Sequence, residues 1–156
     1  MRYITFMIPF VTAAVVIFVY MSCIFLLALA LKDNSIVDIA YGGVFITVAA
    51  STAMQWWSSH PRQVLLLILV TIWGFRLTVH LLFRKRGKGE DFRYRKWREQ
   101  WGRFFVIRSF FQIYMLQGSV ILIVASPVIA AVAWPGRSLG VLDLLGAAVW
   151  LTGIFF

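Results

Sequence analysis

Residues 61–83 read PRQVLLLILVTIWGFRLTVHLLF, an apolar run whose only ionisable side chains are Arg62, Arg76 and His80. At 1.5 Å of rise per residue such a run is long enough to cross a bilayer as a helix, and Pro61 suits its first turn because the missing amide has no intrahelical partner there. Comparable runs lie on either side, at 4–31 and 36–54 before it and at 105–133 and 139–156 after it. The fourth begins at Phe105 or Phe110, with Ser126-Pro127 as its expected kink. The expected fold is therefore all-α, a polytopic transmembrane helix bundle of about five spans forming one domain. Composition agrees: the 156 residues are 62% hydrophobic and 13% charged, against roughly 45–50% and 25% in soluble domains.

What is not apolar is concentrated. Of 15 Lys and Arg against 6 Asp and Glu, most of the excess falls in 84–103, read as a basic loop. Lys and Arg in short loops stay on the cytoplasmic side. That side then also holds the Lys32 turn, whose Asn34 and Ser35 are expected to cap the second helix. The Trp56-Trp57 loop, the Trp134 to Arg137 turn and the N-terminus lie outside. The expected location is a bacterial inner membrane.

Several classes fall away. Cys23, His60 and His80 are too few for a disulfide framework or a four-ligand zinc site, and Cys23, inside an apolar run, reads as a small buried hydrophobe. The first run exceeds the 7–15 residues of a signal h-region, so it is read as a retained span despite Arg2 and the small residues at Ala28 and Ala30. Aromatics interleaved with Arg in 84–103 suggest nucleic acid, but a short loop pinned to membrane at both ends fits a nucleotide cofactor or lipid headgroup better. No nucleic-acid partner is expected. The last run is still apolar at Phe156, which reads as an interrupted bundle, and Asp143 at its start reads as a helix-dipole partner.

Polar side chains inside a bilayer are costly and usually face a bundle interior. Arg76, His80 and Arg84 form an i, i+4 row on the third span, Asn34, Asp38 and Tyr41 share a face on the second, and Tyr114 and Gln117 do on the fourth. Asp38 lies about 5 Å in, and Arg76 and Gln117 about 10 Å in, all from the cytoplasmic end. The expectation is a shared polar cleft in which Asp38 faces the Arg76/His80 stripe.

The motifs resemble a known group. Residues 34–42 (NSIVDIAYG), 73–77 (WGFRL), 87–94 (GKGEDFRY), Trp101-Gly102, Gln117-Gly118 and Ser126-Pro127 follow the order seen in a bacterial branch of the steroid 5-alpha-reductase-like membrane proteins, the domain of unknown function 1295. The resemblance covers nearly the whole chain and is most specific between Trp73 and Gly102. It implies a bundle of about seven helices, of which these residues form the N-terminal part. NADPH enters from the cytoplasm and a hydrophobic enone, sterol-like or terpenoid, from the lipid. The family's Arg-His-Pro-Asn-Tyr cofactor segment does not occur within residues 1–156, and position 41 is Tyr where the branch more often has Trp.

Carried over by position, the resemblance implies Asp38, His80 and Arg76 as catalytic residues, with Asp38 and His80 polarising the substrate carbonyl. It implies Arg84, Arg86, Arg93, Tyr94 and Arg98 as NADPH-binding residues, and Tyr41, Tyr114 and Gln117 as substrate-binding. Two other readings stay open: an S-adenosylmethionine-dependent membrane methyltransferase, and a non-enzymatic bundle that binds anionic lipid or serves as an assembly subunit.

Overall fold

The computed structural model describes residues 2–136 and 138–155, with side chains from Thr5 onward. The Arg2 side chain, Arg137 and Phe156 lie outside the described residues. The described chain is helical: α1 (Arg2–Leu31), α2 (Ile36–Gln55), α3 (Pro61–Lys85), α4 (Phe92–Trp101), α5 (Phe105–Ser109), a π-helical segment (Phe110–Met115), α6 (Leu116–Ala133) and α7 (Val141–Phe155). Four apolar stretches are long enough to cross a membrane, Thr5–Leu31, Ile36–Gln55, Pro61–Lys85 and the continuous helical run Phe92–Ala133, and α7 is a shorter apolar helix. This is the build of an integral membrane protein.

In lipid the helices are not driven together by escape from water, so packing and polar contacts must hold them. α2 is the centre. Half of its apolar window is buried, against 6% for α3, and it packs on α1, α3 and α6. The core is an i, i+4 row on α1 (Ala13, Ile17, Met21, Phe25) meeting Val37, Val44 and Val48 of α2 and Ile121, Ala125 and Ile129 of α6. Cys23 is on the exposed side of α1, not buried as expected, because the buried row passes through Met21 and Phe25 instead.

Gly42 of α2 forms the closest seam. A Cβ there would overlap the Gly74 carbonyl, and one at Gly74 would sit 2.6 Å from the Gly42 oxygen. Small residues let membrane helices approach to this distance. α3 ends where Gly87 takes a positive φ of 75°, the left-handed stop that glycine permits.

At Ser126-Pro127, where a kink is expected, the chain stays helical. α6 is assigned continuously through Pro127. The carbonyl of Ile123 that loses its amide donor there receives the Ser126 hydroxyl at 2.7 Å. The departure from α geometry lies earlier, in the Phe110–Met115 π turn.

At one end of the bundle Trp134 packs on Phe6 and Trp56, which puts the α1 start and both Trp turns together. Two polar contacts bind that end. Fully buried Gln63 accepts from the Ser58 amide at 3.1 Å and donates to the Trp56 and Val132 carbonyls at 2.9 and 2.8 Å. Arg62 grips Asp143 through two bonds of 2.7 and 2.8 Å and also reaches the Pro135 carbonyl. Asp143 therefore pairs across helices, beyond the dipole role expected of it.

Candidate functional site

The opposite end gathers the α1–α2 turn, the end of α3 and the 84–103 segment. That segment is not the loop expected. α3 continues to Lys85, and 92–101 is a helix. Asp91 starts it, accepting from the Arg93 amide at 3.0 Å. In α4 the residues Tyr94, Trp97 and Trp101 fall on one face by helical spacing. Tyr94 is buried, its ring edge-on to Trp97, and Trp97 stacks on Trp101 at 5.5 Å. Phe92, on the other side, is exposed.

Three acid-centred contacts tie α4 down. The Asp38 carboxylate accepts from the Tyr94 hydroxyl at 3.0 Å and from Arg93 at 3.3 Å. Glu90 accepts a two-pronged bond from Arg98, at 3.1 and 2.8 Å, and the Asn34 amide at 3.0 Å. Asp91 donates its amide to the Ser35 hydroxyl at 2.9 Å, and that hydroxyl donates to Asp33 at 2.6 Å. Ser35 thus leaves the α2 amides alone; its oxygen is committed to bridging Asp33 and Asp91, which replaces the expected capping role. Asp33 also pairs with Lys85. Burial opposes ionisation of Asp33, but the hydrogen bonds from Lys85 and Ser35 outweigh it and hold its carboxyl below the usual carboxylate range. Arg93 does the same for Asp91.

Beneath this cap lies Asn34, with no exposed surface, whose side-chain oxygen accepts from the buried Tyr114 hydroxyl at 3.3 Å. Tyr114 belongs to the π turn and packs edge-on to Phe25. Gln117, a turn further along, is partly buried, and its side-chain oxygen has no hydrogen-bond partner among the described residues. Tyr41 stacks at a tilt on Phe45, which meets Trp73 edge-on.

A cavity of about 210 Å³ opens beside Asp38, walled by Ser35, Ile39, Leu81, Arg84, Lys85, Lys88, Gly89 and Asp91. Of the expected catalytic residues only Asp38 reaches it. Arg76 and His80 are exposed. At 100° per residue Arg76 lies about 160° from both Gly74 and Thr78 on the helix wheel, and Gly74 and Thr78 are the α3 residues that close on Gly42 of α2. The shared Asp38 and Arg76/His80 cleft does not form: the seam turns that stripe away from α2, and Asp38 is met by Tyr94 and Arg93 instead. Among the expected cofactor residues Arg84 lines the cavity, Arg93, Tyr94 and Arg98 are engaged with acids, and the Arg86 side chain has no hydrogen bond or ion pair among the described residues. Asn34, Glu90 and Ser35 were not singled out as site residues; the one signal for them was the unbroken polar run 33–35 facing a Glu-Asp pair in an otherwise basic segment.

The model of one protein family, described as protein of unknown function (DUF1295), matches residues 24–156. The chain belongs to DUF1295. The DUF1295 match takes in the whole polar cap, the α2–α3 seam and the π turn. No curated protein and no solved structure matches the chain.

Proposed function

We propose that the protein is a membrane-embedded, NADPH-dependent reductase of a hydrophobic enone, with the cavity beside Asp38 as its reaction site. One arrangement carries the reading: a carboxylate held by a phenol and a guanidinium shares a cavity with three further cations, of which Lys85 is paired with Asp33, where apolar helices meet a polar cap. The likeness to steroid 5-alpha-reductase-like proteins supplies the reaction class. Arg84 and Lys88 suit a phosphate or a carbonyl oxygen gaining negative charge. The cavity has room for one end of a dinucleotide rather than all of it, since pockets that enclose drug-sized ligands run to about 300–1,000 Å³.

Bound there, NADPH would supply the hydride that adds at the beta carbon. Arg84 donates to the substrate carbonyl oxygen and stabilises the negative charge it gains. Asp38, fixed by Tyr94 and Arg93, holds the electrostatic balance of the wall and orients what lies against it. The proton that completes the reduction at the alpha carbon comes from water at the open mouth. Arg93, Tyr94 and Arg98 are positioning residues in this reading, and Arg76 and His80 take no part.

The test uses the whole gene product in lipid nanodiscs, following NADPH oxidation with a lipid-soluble enone. Asp38→Asn should lower turnover by about a hundredfold, well beyond the loss of about 1 kcal/mol in α4 docking that it shares with Tyr94→Phe, while His80→Ala leaves turnover intact. Binding of S-adenosylmethionine with no NADPH affinity would overturn the reading in favour of methyl transfer.

A further inference from the structure

A second concavity, about 720 Å³, lies where the last turns of α1 and α3 meet the first turn of α2. Its floor is apolar, built from Leu31, Ile36, Ile39, Leu82 and Phe83, and Leu31, Leu82 and Phe83 are well exposed. Its rim is basic. Asp33, the only acid lining it among the described residues, is already bonded to Lys85 and Ser35. That leaves Arg86 and Lys88, whose side chains make no hydrogen bond or ion pair among the described residues, as uncompensated charge above an apolar floor.

An apolar floor at the end of two membrane-length helices, rimmed by two unneutralised cations, has the polarity sequence of a phospholipid read from chain to headgroup. We propose that this groove binds an acidic phospholipid, one acyl chain lying on Ile36, Leu82 and Phe83 and the headgroup phosphate meeting Arg86 and Lys88. Arginine and lysine near a bilayer surface draw anionic lipid, and a guanidinium can hold a phosphate through two bonds. The proposal goes beyond the reductase reading; the two grooves share Lys88, and the tests stay distinguishable because the readout here is lipid retention and not turnover.

The experiment reconstitutes the protein in nanodiscs of phosphatidylcholine with a minority of phosphatidylglycerol, then counts co-purifying lipids by native mass spectrometry. The expected result is preferential retention of phosphatidylglycerol. The Arg86→Gln/Lys88→Gln double variant should reduce that preference by about thirtyfold. Phe83→Ser, at an exposed position that the fold does not need, should weaken retention as well, and Arg103→Gln, away from the groove, should not. Equal retention of both lipids overturns the proposal, as does a loss caused equally by Arg103→Gln, which would mean unspecific charge. Displacement by inorganic phosphate with no effect of Phe83→Ser would mean a free-anion site, and overturns it too.

Discussion

Gly74→Ala tests the α2–α3 seam directly. The added Cβ would stand 2.6 Å from the Gly42 carbonyl oxygen and 2.8 Å from Ile46 Cγ1. A carbon meets a carbonyl oxygen no closer than about 3.3 Å in packed helices, so the backbones must part by about 0.7 Å at the crossing. Ile46 can rotate, but the Gly42 oxygen is main chain and cannot yield alone. A gap of that size forfeits roughly a quarter to a half of the dispersion energy of the atoms that separate, and overpacking of this kind costs about 1–3 kcal/mol. Against it stands the gain of about 1 kcal/mol when alanine replaces glycine inside a helix. The expected outcome is a net loss near 1 kcal/mol, or a fall in Tm of about 2–4 °C, measured by tryptophan fluorescence in detergent. Gly146→Ala on α7, where nothing lies within 4 Å of the new Cβ, collects the propensity gain alone and should raise Tm slightly. If Gly74→Ala raised Tm as much as Gly146→Ala, the close approach would not exist.

Four further outcomes follow from the same geometry. Tyr94→Phe should remove about 1 kcal/mol of α4 docking and speed limited proteolysis between Gly87 and Arg103, with little change elsewhere. A double-mutant cycle on Arg62→Ala and Asp143→Ala should give a coupling of about 0.5–3 kcal/mol, and additivity would remove the two-pronged pair. Asp33 and Asp91 have lowered carboxyl pKa values in the folded state, so their contribution is complete above the unfolded-state pKa and lost as pH falls through the folded one. Hydrogen exchange in 86–101, corrected for intrinsic rates, should be flat from about pH 8 to 5 and rise below the usual carboxylate range; a rise near pH 6.5 would point to histidine instead. Cysteines at Lys88 and Ser58, with Cys23→Ala, should label from opposite sides of the membrane, Lys88 from the cytoplasm.

How far the sequence reached depends on which surface each residue meets. Hydropathy located the apolar helices to within a few residues, because a span is predominantly apolar on the faces that meet lipid and protein alike. For the same reason it could not say which face is inside. α1 is apolar all round, and nothing in its composition separates buried Met21 from exposed Cys23. Arg76 and His80 were misplaced by this blindness: polarity was taken to mark the inner face, but the inner face of α3 is set by Gly74, a residue conspicuous for having nothing to show. The polar cap was half legible. Asp38, Tyr94, Arg93 and Arg98 stand out in sequence, but their pairing depends on 92–101 being a helix, which its charge density disguised as a loop. Tyr114 reaches Asn34 from a π turn that no local pattern announced.

Asn34 carries a consequence for how the protein is made. Its backbone amide is satisfied by Glu90 and its side-chain oxygen by Tyr114, partners 56 and 80 residues further along the chain. Ribosomes add roughly 5–20 residues per second, so the α1–α2 hairpin enters the bilayer some seconds before either partner has been synthesised. During that interval the turn cannot be sealed, and water or the translocon must stand in for both. The hairpin is thus delivered open and is closed from above by segments that arrive later, so a nascent chain stalled before residue 114 should keep its Asn34 turn reachable by a water-soluble reagent, and one released beyond it should not.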